Sequence, residues 1–180
     1  MTWAVWITGL PGSGKTVIAQ KVRVLMENRG MPTVKVLELD EIRKFITPQP
    51  NYSDEEREIV YAALVYMAKL LVDCGIPVII DATANLRKFR ERARETIPNF
   101  AEVYITCSLD TCMKRERRRK AKHAPTDIYK RSKEQGATVP GVNVPYEEPL
   151  NPEIVVDSET MSVETCGEHV VEFILKQYGR

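Results

Sequence analysis

Short apolar runs alternate along the chain with segments whose apolar positions recur at helical spacing. The first run, residues 4–8, stops at a glycine, and residues 17–27 then place their apolar side chains on one helix face. Ser53, with a glutamate three positions later, is typical of a helix N-cap. The pattern predicts strands over residues 4–8, 34–40, 77–81, 103–106 and 154–156. It predicts helices over residues 17–27, 54–73, 86–96, 110–122 and 163–176.

Strands that alternate with helices favour parallel strand pairing. The strands are short and mostly apolar, which indicates a sheet covered on both faces. A chain of 180 residues suits one domain. We therefore expect a single α/β domain over residues 1–180, with a five-stranded parallel sheet and helices on both faces. The basic helix and the proline-rich stretch that follows it are expected to form a lid, at about residues 112–150, within this domain.

Composition narrows the classes of protein. Lys and Arg number 26 and Asp and Glu number 25, and a net charge of +1 argues against a globally basic nucleic-acid-binding protein. The four cysteines have no zinc-site spacing, which predicts free thiols in a reducing compartment. The first residues do not resemble a signal peptide, and no apolar stretch is long enough to span a membrane. We therefore expect a soluble, cytoplasmic protein.

Residues 9–16 match the pattern G-x-x-x-x-G-K-[ST] of a phosphate-binding loop. Glycines let the backbone N–H groups surround a phosphate, and the following helix adds the positive end of its dipole. Lys15 is expected to reach the β- and γ-phosphates of ATP, and the Thr16 hydroxyl to ligate Mg²⁺. The predicted ATP-binding residues in this loop are Gly9, Leu10, Pro11, Gly12, Ser13, Gly14, Lys15 and Thr16.

Several classes of protein use such a loop. A GTPase would carry an Asn-Lys-x-Asp motif, which is absent here, and a motor ATPase would need a longer chain. A small-molecule kinase needs an acidic residue near the acceptor hydroxyl, arginines for anions and a lid, and this sequence offers all three. An ATP-binding regulator without transferase activity is the alternative from another class. It would bind ATP but release no ADP when an acceptor is added.

Two aspartates are candidates for catalysis. Asp40 is expected at the end of the second strand, and Asp81 follows four apolar residues at the end of the third. Ligands of open parallel sheets bind at the carboxyl ends of the strands, so both carboxylates are expected to face the phosphate loop. One would organise Mg²⁺, for which Asp40 is a candidate with Thr16, and the other would accept the proton of the acceptor hydroxyl. The sequence leaves the assignment open.

Arginines close to these strand ends are candidates for binding an anionic acceptor. Arg43 follows the second strand, and Arg87 and Arg90 follow the third. Guanidinium groups suit bidentate recognition of phosphate or sulfate. Seven of the nine residues 114–122 are basic, and Arg115 in this run is expected to close on ATP from the lid. The alternative is that this basic run binds nucleic acid, although it contains none of the interleaved aromatic residues that are typical of such a surface.

Further motifs accompany the phosphate loop. Residues 39–43 read Leu-Asp-Glu-Ile-Arg, residues 53–57 read Ser-Asp-Glu-Glu-Arg, and residues 145–149 read Pro-Tyr-Glu-Glu-Pro. In these motifs the chain resembles the adenylylsulfate kinase family, and the resemblance covers nearly the whole chain. The last motif is the more specific one, because many families share phosphate loops. The resemblance implies the fold of a P-loop kinase, ATP-dependent phosphorylation of the 3′-hydroxyl of adenylylsulfate, Mg²⁺ and commonly a homodimer.

The acceptor pocket departs from the family pattern. Glu41 stands at the position of a substrate-facing asparagine. Val139 stands where the family has the aromatic residue that stacks on the substrate adenine. The stacking ring is therefore missing, unless Tyr146 or another ring replaces it. Residues 81–85, Asp-Ala-Thr-Ala-Asn, are similar to polynucleotide kinase. The alternative acceptor is therefore another anionic or nucleotide-like molecule, including a 5′-hydroxyl nucleic-acid end, in a pocket rebuilt around Glu41, Asp81 and Val139.

Overall fold

The computed structural model describes residues 1–31, 33–118, 123, 125 and 127–179. The strands within them are β1 (Ala4–Thr8), β2 (Lys35–Glu38), β3 (Val78–Asp81), β4 (Phe100–Thr106) and β5 (Ile154–Asp157). The first strand has the bounds that the sequence predicts, and the others differ by a few residues at their ends. All five pair in parallel in one sheet, in the order β2-β3-β1-β4-β5, which confirms the predicted fold class.

Helices cover both faces of the sheet, because successive strand residues point to opposite sides. The helices are α1 (Lys15–Asn28), α2 (Leu39–Ile46), α3 (Asp54–Asp73), α4 (Arg87–Thr96), α5 (Leu109–Arg118), α6 (Ile128–Arg131) and α7 (Val163–Tyr178). In β1, Val5 and Ile7 belong to one buried cluster with residues of α1 and α7, whereas Ala4 and Trp6 belong to a second cluster with residues of α3 and α4. In the part of the chain described, no helix combines the length and apolar character that crossing a membrane requires.

The prediction that Asp40 ends a strand is wrong. Strand β2 stops at Glu38, and Asp40 lies in the first turn of α2. The physical reason is the acidic pair Asp40 and Glu41, which the positive N-terminal end of a helix favours. The short helix α6 was also not predicted. The helix predicted over residues 110–122 corresponds to α5, and residues 119–122 lie outside the described residues.

The strand register sets up the functional end of the sheet. Asp81 pairs with Ile7 of β1 on one side and with Glu38 of β2 on the other. Because the strands are parallel, the segments that follow β1, β2 and β3 leave the same edge. The phosphate loop, the start of α2 and the loop after Asp81 therefore lie next to one another.

A buried ion pair joins α4 to β4. Arg90 is 2% exposed, and its Nε donates to Glu102 Oε1 at 2.5 Å. Its two Nη groups donate to the backbone carbonyls of Ala84 and Glu147. All three guanidinium nitrogens of Arg90 donate to protein acceptors and so connect α4 to β4 and to the segments around residues 84 and 147. This placement gives Arg90 a role in stability and differs from its predicted role in binding the acceptor.

Replacing Arg90 by alanine is expected to lower the free energy of unfolding by about 3–5 kcal/mol, because the buried Glu102 would lose its short ion pair and keep only Arg94, whose Nη2 lies 3.7 Å from its Oε2. Arg92→Ala is the matched control, since Arg92 lies on the same helix and contacts Glu58 at the surface. The control should change stability by less than about 1 kcal/mol. Urea unfolding at pH 7 measures both variants. Equal losses of stability would contradict the assignment.

Candidate active site

The phosphate loop (residues 9–16) connects β1 to α1 in a conformation that requires glycine. Gly12 has φ of +83° and Gly14 has φ of +99°, both in the left-handed region that other residues rarely adopt. A Cβ atom on Gly12 would also lie 2.6 Å from the carbonyl oxygen of Cys112, at which α5 packs against the loop. Larger residues at position 12 would therefore displace the loop from α5.

Polar groups line the inside of this loop. The Lys15 Nζ donates to the carbonyl oxygen of Leu10 at 2.9 Å, so the side chain folds back over the loop. The Ser13 Oγ is buried and has no hydrogen-bond partner among the described residues. Helix α1 begins at Lys15, and its N-terminal N–H groups belong to the same concave segment. The loop therefore presents a cation, a hydroxyl and a helix N-terminus to one place, as phosphate binding requires.

Asp81 lies next to this loop and is 4% exposed. Burial raises its pKa to about 6, although the nearby Lys15 and a hydrogen bond with Thr16 favour the charged form. Its Oδ2 is buried and without a hydrogen-bond partner among the described residues. A hard divalent cation prefers oxygen ligands such as this carboxylate and the Thr16 hydroxyl. The residues present therefore fit Mg²⁺.

A cavity of about 340 Å³ opens beside the loop and contains many of the predicted site residues. It extends from the phosphate loop, past the end of β3, to the start of α2 and to the segment around residue 139. The predicted residues that line it are Pro11, Lys15, Thr16, Asp40, Arg43, Asp81 and Val139. The structure therefore brings both candidate carboxylates, the loop lysine and one candidate arginine to a single cavity.

The far wall of the cavity is cationic and aromatic. Arg43 is 7% exposed, and its Cζ lies 4.9 Å from the centroid of the Tyr52 ring. Arg57, which is also buried, donates to the side-chain oxygen of Asn85 and to the backbone and hydroxyl oxygens of Thr138. Arg43, Tyr52 and Arg57 all line the cavity. An anionic ligand with an aromatic base would find suitable partners on this wall.

Several site residues were not identified from the sequence. Arg57 was identified only as the last residue of the motif at residues 53–57, because a sequence does not reveal which arginine of a helix turns inward. Tyr52 precedes the Ser53 cap, and its ring supplies an aromatic surface to the cavity in the absence of one at Val139. A signal for both was present, since each lies within three residues of a motif that the resemblance to a family singles out.

Tyr146 does not replace the missing ring. Its ring stacks on Tyr104 with centroids 6.2 Å apart, and its hydroxyl is 2.9 Å from the Thr8 Oγ1. Burial raises its pKa to about 12, so the hydroxyl stays protonated. Tyr61 does line the cavity, but its ring packs on Phe89 at 4.2 Å. Tyr52 is therefore the aromatic side chain that is better placed for a ligand.

Two predicted acceptor-binding residues lie away from the cavity. Arg87 contacts the segment that carries the Pro-Tyr-Glu-Glu-Pro motif, where its backbone N–H donates to Glu147 and its guanidinium to the carbonyl of Glu148. Glu41 points to the surface, and its Oε1 lies 3.9 Å from the His123 Nε2. Neither residue lines the cavity, and neither does Arg90.

Arg115 also lies outside the cavity. Its two Nη groups donate to the hydroxyl and the carbonyl oxygen of Ser158, which follows β5. Among the described residues of the predicted lid, the basic one that lines the cavity is Arg131, on α6. Residue 119, in the same basic run as Arg115, lies outside the described residues. The spacing of a basic helix indicates where charge accumulates, but not which arginine turns towards a ligand.

Residues of the lid (112–150) contact the phosphate loop directly. The Tyr129 hydroxyl donates to the carbonyl oxygen of Pro11 at 2.6 Å. Gly141 packs so closely on Leu10 that a Cβ atom would lie 2.7 Å from a methyl group of that side chain. Val139 is buried in a cluster with Tyr129, against which Leu10 packs, and it also lines the cavity. This part of the predicted lid therefore packs directly on the phosphate loop.

Comparison with known proteins agrees with this geometry. Residues 1–157 match the family model described as adenylylsulphate kinase. The chain belongs to the adenylylsulfate kinase family. It is 35% identical to a probable adenylyl-sulfate kinase of Pyrococcus abyssi over 172 residues, which cover 94% of this chain and 92% of the relative. It is 33% identical to an adenylyl-sulfate kinase of Bacillus velezensis, with 94% and 83% covered.

Solved structures of adenylylsulfate kinases have the same fold. The APS kinase CysC of Mycobacterium tuberculosis, solved in complex with AMPPNP and APS, superimposes with a TM-score of 0.82 at 27% identity, covering 96% of this chain and 97% of that one. A gluconokinase of Sinorhizobium meliloti superimposes with a TM-score of 0.61 at 20% identity, which shows a shared fold only. The comparisons favour adenylylsulfate kinase over other kinases of this fold.

Asp81→Asn is expected to stabilise the ligand-free protein at neutral pH. Because the folded-state pKa is raised above that of the unfolded chain, the carboxylate destabilises the fold above pH 6, and this penalty disappears below about pH 4. The variant should gain about 2–3 kcal/mol at pH 7.5 and nothing at pH 3.5. Urea unfolding at the two pH values measures the difference. Asp73→Asn, at an exposed aspartate, should change little; a pH-independent effect at position 81 would contradict the burial argument.

Proposed function

We propose that the protein transfers the γ-phosphoryl group of ATP to the 3′-hydroxyl of adenylylsulfate. One observation carries this proposal: a single cavity joins the phosphate loop to a wall with two buried arginines and an aromatic ring, with two carboxylates between them. Membership of the adenylylsulfate kinase family makes ATP the phosphate donor. Adenylylsulfate carries an anionic phosphosulfate and a flat adenine, which match the chemistry of that wall.

The donor side of the reaction is assigned to the phosphate loop. Its backbone N–H groups and Lys15 would bind the β- and γ-phosphates and neutralise the negative charge that develops during transfer. The Thr16 hydroxyl, with Asp81, would hold Mg²⁺. When bound, Mg²⁺ neutralises charge on the phosphates and favours an in-line arrangement of donor and acceptor. The bond from Tyr129 to Pro11 supports the loop from the lid.

The acceptor side is assigned to the opposite wall. Arg43 and Arg57 would bind the phosphosulfate, since guanidinium groups recognise such oxyanions through paired hydrogen bonds. The Tyr52 ring would stack on the adenine, and stacking of this kind contributes about 1–3 kcal/mol per base. This arrangement compensates for the valine at position 139. The family's adenylylsulfate pocket is therefore retained with a different set of side chains.

The two carboxylates are assigned to proton acceptance and metal organisation. Asp40 lies one helical turn before Arg43 in α2, on the acceptor side of the cavity. Asp81 hydrogen bonds with Thr16, on the donor side. We therefore assign proton acceptance from the 3′-hydroxyl to Asp40 and organisation of Mg²⁺ to Asp81 together with Thr16. This refines the sequence-based assignment, in which either carboxylate served either role.

The proposed acceptor is tested by ADP release from Mg·ATP. Adenylylsulfate is expected to stimulate release strongly, whereas AMP, other nucleotides and a 5′-hydroxyl oligonucleotide are not, because they lack the phosphosulfate. Lys15→Ala should abolish release and leave the thermal unfolding transition in place. Stimulation by the oligonucleotide but not by adenylylsulfate would contradict the proposal and favour a polynucleotide acceptor.

Asp40→Asn is expected to lower kcat by about 100-fold, because an amide cannot accept the proton of the 3′-hydroxyl. Asp110→Asn is the matched control, since Asp110 is an exposed aspartate in the first turn of another helix. It should leave kcat unchanged. Steady-state rates at saturating ATP and adenylylsulfate measure both. A loss of less than about five-fold at position 40 would transfer proton acceptance to Asp81.

The homodimer that the resemblance implies stays a prediction. Its measurement is the molar mass in solution by light scattering over a range of protein concentrations. A mass near 41 kDa, about twice that of the chain, would support a dimer, and a mass near 20.5 kDa would contradict it.

A further inference from the structure

The cationic group of the acceptor wall is itself held by a buried carboxylate. The Arg43 Nη1 donates to Glu56 Oε1 at 2.7 Å, and each of the two side chains is 9% exposed. A buried guanidinium without a partner would carry a large desolvation penalty, so Glu56 stabilises the charged arginine at this position. Arg43 lines the cavity, whereas Glu56 lies behind it and does not.

The carboxylate of Glu56 has its own fixed support. Its second oxygen, Oε2, accepts a hydrogen bond from the backbone N–H of Asn51 at 2.6 Å. The backbone N–H of Glu56 donates to the Ser53 Oγ that caps α3. Both carboxylate oxygens are therefore used, one by the turn before α3 and one by Arg43. The carboxylate has little freedom to rotate, and Arg43 is held in one orientation above the Tyr52 ring.

We propose that Glu56 is a positioning residue for the acceptor, which acts by holding Arg43 in the orientation that binds the phosphosulfate. This inference rests on the proposed function. One N–H of Arg43 is committed to Glu56 and one face of the guanidinium to Tyr52. Its other N–H groups donate to no side chain or backbone group among the described residues and are left for a ligand in the cavity. A preoriented arginine loses less freedom when it binds an anion, and this favours a low KM for adenylylsulfate.

The variant Glu56→Gln distinguishes the positioning of Arg43 from a role of Glu56 in packing alone. Glutamine has nearly the same size and shape as glutamate, but only one of its terminal groups accepts hydrogen bonds. Its NH₂ group would face either the Asn51 N–H or the Arg43 guanidinium, both of which are donors. One of the two bonds must therefore be lost, and the charge that holds Arg43 is removed.

The first experiment measures KM for adenylylsulfate, KM for ATP and kcat in Glu56→Gln. We expect KM for adenylylsulfate to rise about ten-fold, with KM for ATP and kcat within about two-fold of the unaltered protein. Glu55→Gln is the matched control, because Glu55 precedes Glu56 in the same helix turn and is exposed. It should change none of the three. Equal changes of both KM values in Glu56→Gln would indicate a purely structural role and overturn the inference.

The second experiment combines the change with Arg43→Gln. If Glu56 acts through Arg43, the double variant should have the same KM for adenylylsulfate as Arg43→Gln alone, because there is no arginine left to position. If Glu56→Gln alone does not fold, this comparison still tests the inference, because the double variant buries two uncharged side chains at these positions. Effects that multiply would overturn the inference.

Different outcomes would overturn the proposed function and the inference about Glu56. If the unaltered protein shows no ADP release that depends on adenylylsulfate, the proposed function is overturned and the inference with it. If the unaltered protein is active and Glu56→Gln has an unchanged KM for adenylylsulfate, only the inference is overturned.

Discussion

The parallel pairing of β1 with β3 is the constraint on which the site depends. It places Asp81 beside the phosphate loop that follows β1. Burial there raises the pKa of Asp81, and one of its carboxylate oxygens has no hydrogen-bond partner within the part of the chain that the structure describes. Such a carboxylate costs stability in the ligand-free protein. A bound cation and triphosphate would offset that cost. Asp81 thus lowers the stability of the ligand-free fold and favours the binding of charged ligands, a combination that is common in active sites.

Two buried ion pairs use the same chemistry for different purposes. Arg90 with Glu102 joins α4 to β4, and the other donors of Arg90 end on backbone carbonyls. Arg43 with Glu56 instead leaves part of the guanidinium on the cavity wall. The difference lies in what surrounds each arginine. Arg90 lies outside the cavity and bonds to protein through each of its three guanidinium nitrogens, so it stabilises the fold, whereas Arg43 lines the cavity and can bind an anion there.

The sequence predicts the fold, and residues of the loop that it predicts to bind the phosphate donor line the cavity. The phosphate loop needs glycines, lysine and threonine at fixed spacing, and the apolar strands alternate with helices in a pattern that few folds share. The acceptor half of the site is harder to predict from the sequence. Arg43 and Arg90 both follow a strand and look equivalent in the sequence, and only the side-chain contacts distinguish them. Asp40 was expected at a strand end, because a four-residue strand and the first turn of a helix have similar short-range patterns. Tyr52 and Arg57 act through long-range packing, which local spacing does not reveal.

The most direct test of the account is the chemical identity of the product formed from Mg·ATP and adenylylsulfate. Phosphorus NMR of the reaction mixture distinguishes a ribose phosphate monoester from inorganic phosphate. The account predicts one new monoester resonance, coupled to the ribose H3′ and equal in amount to the ADP released. ADP with only inorganic phosphate, or a monoester at another position, would contradict the central claim that this cavity directs phosphoryl transfer to the 3′-hydroxyl.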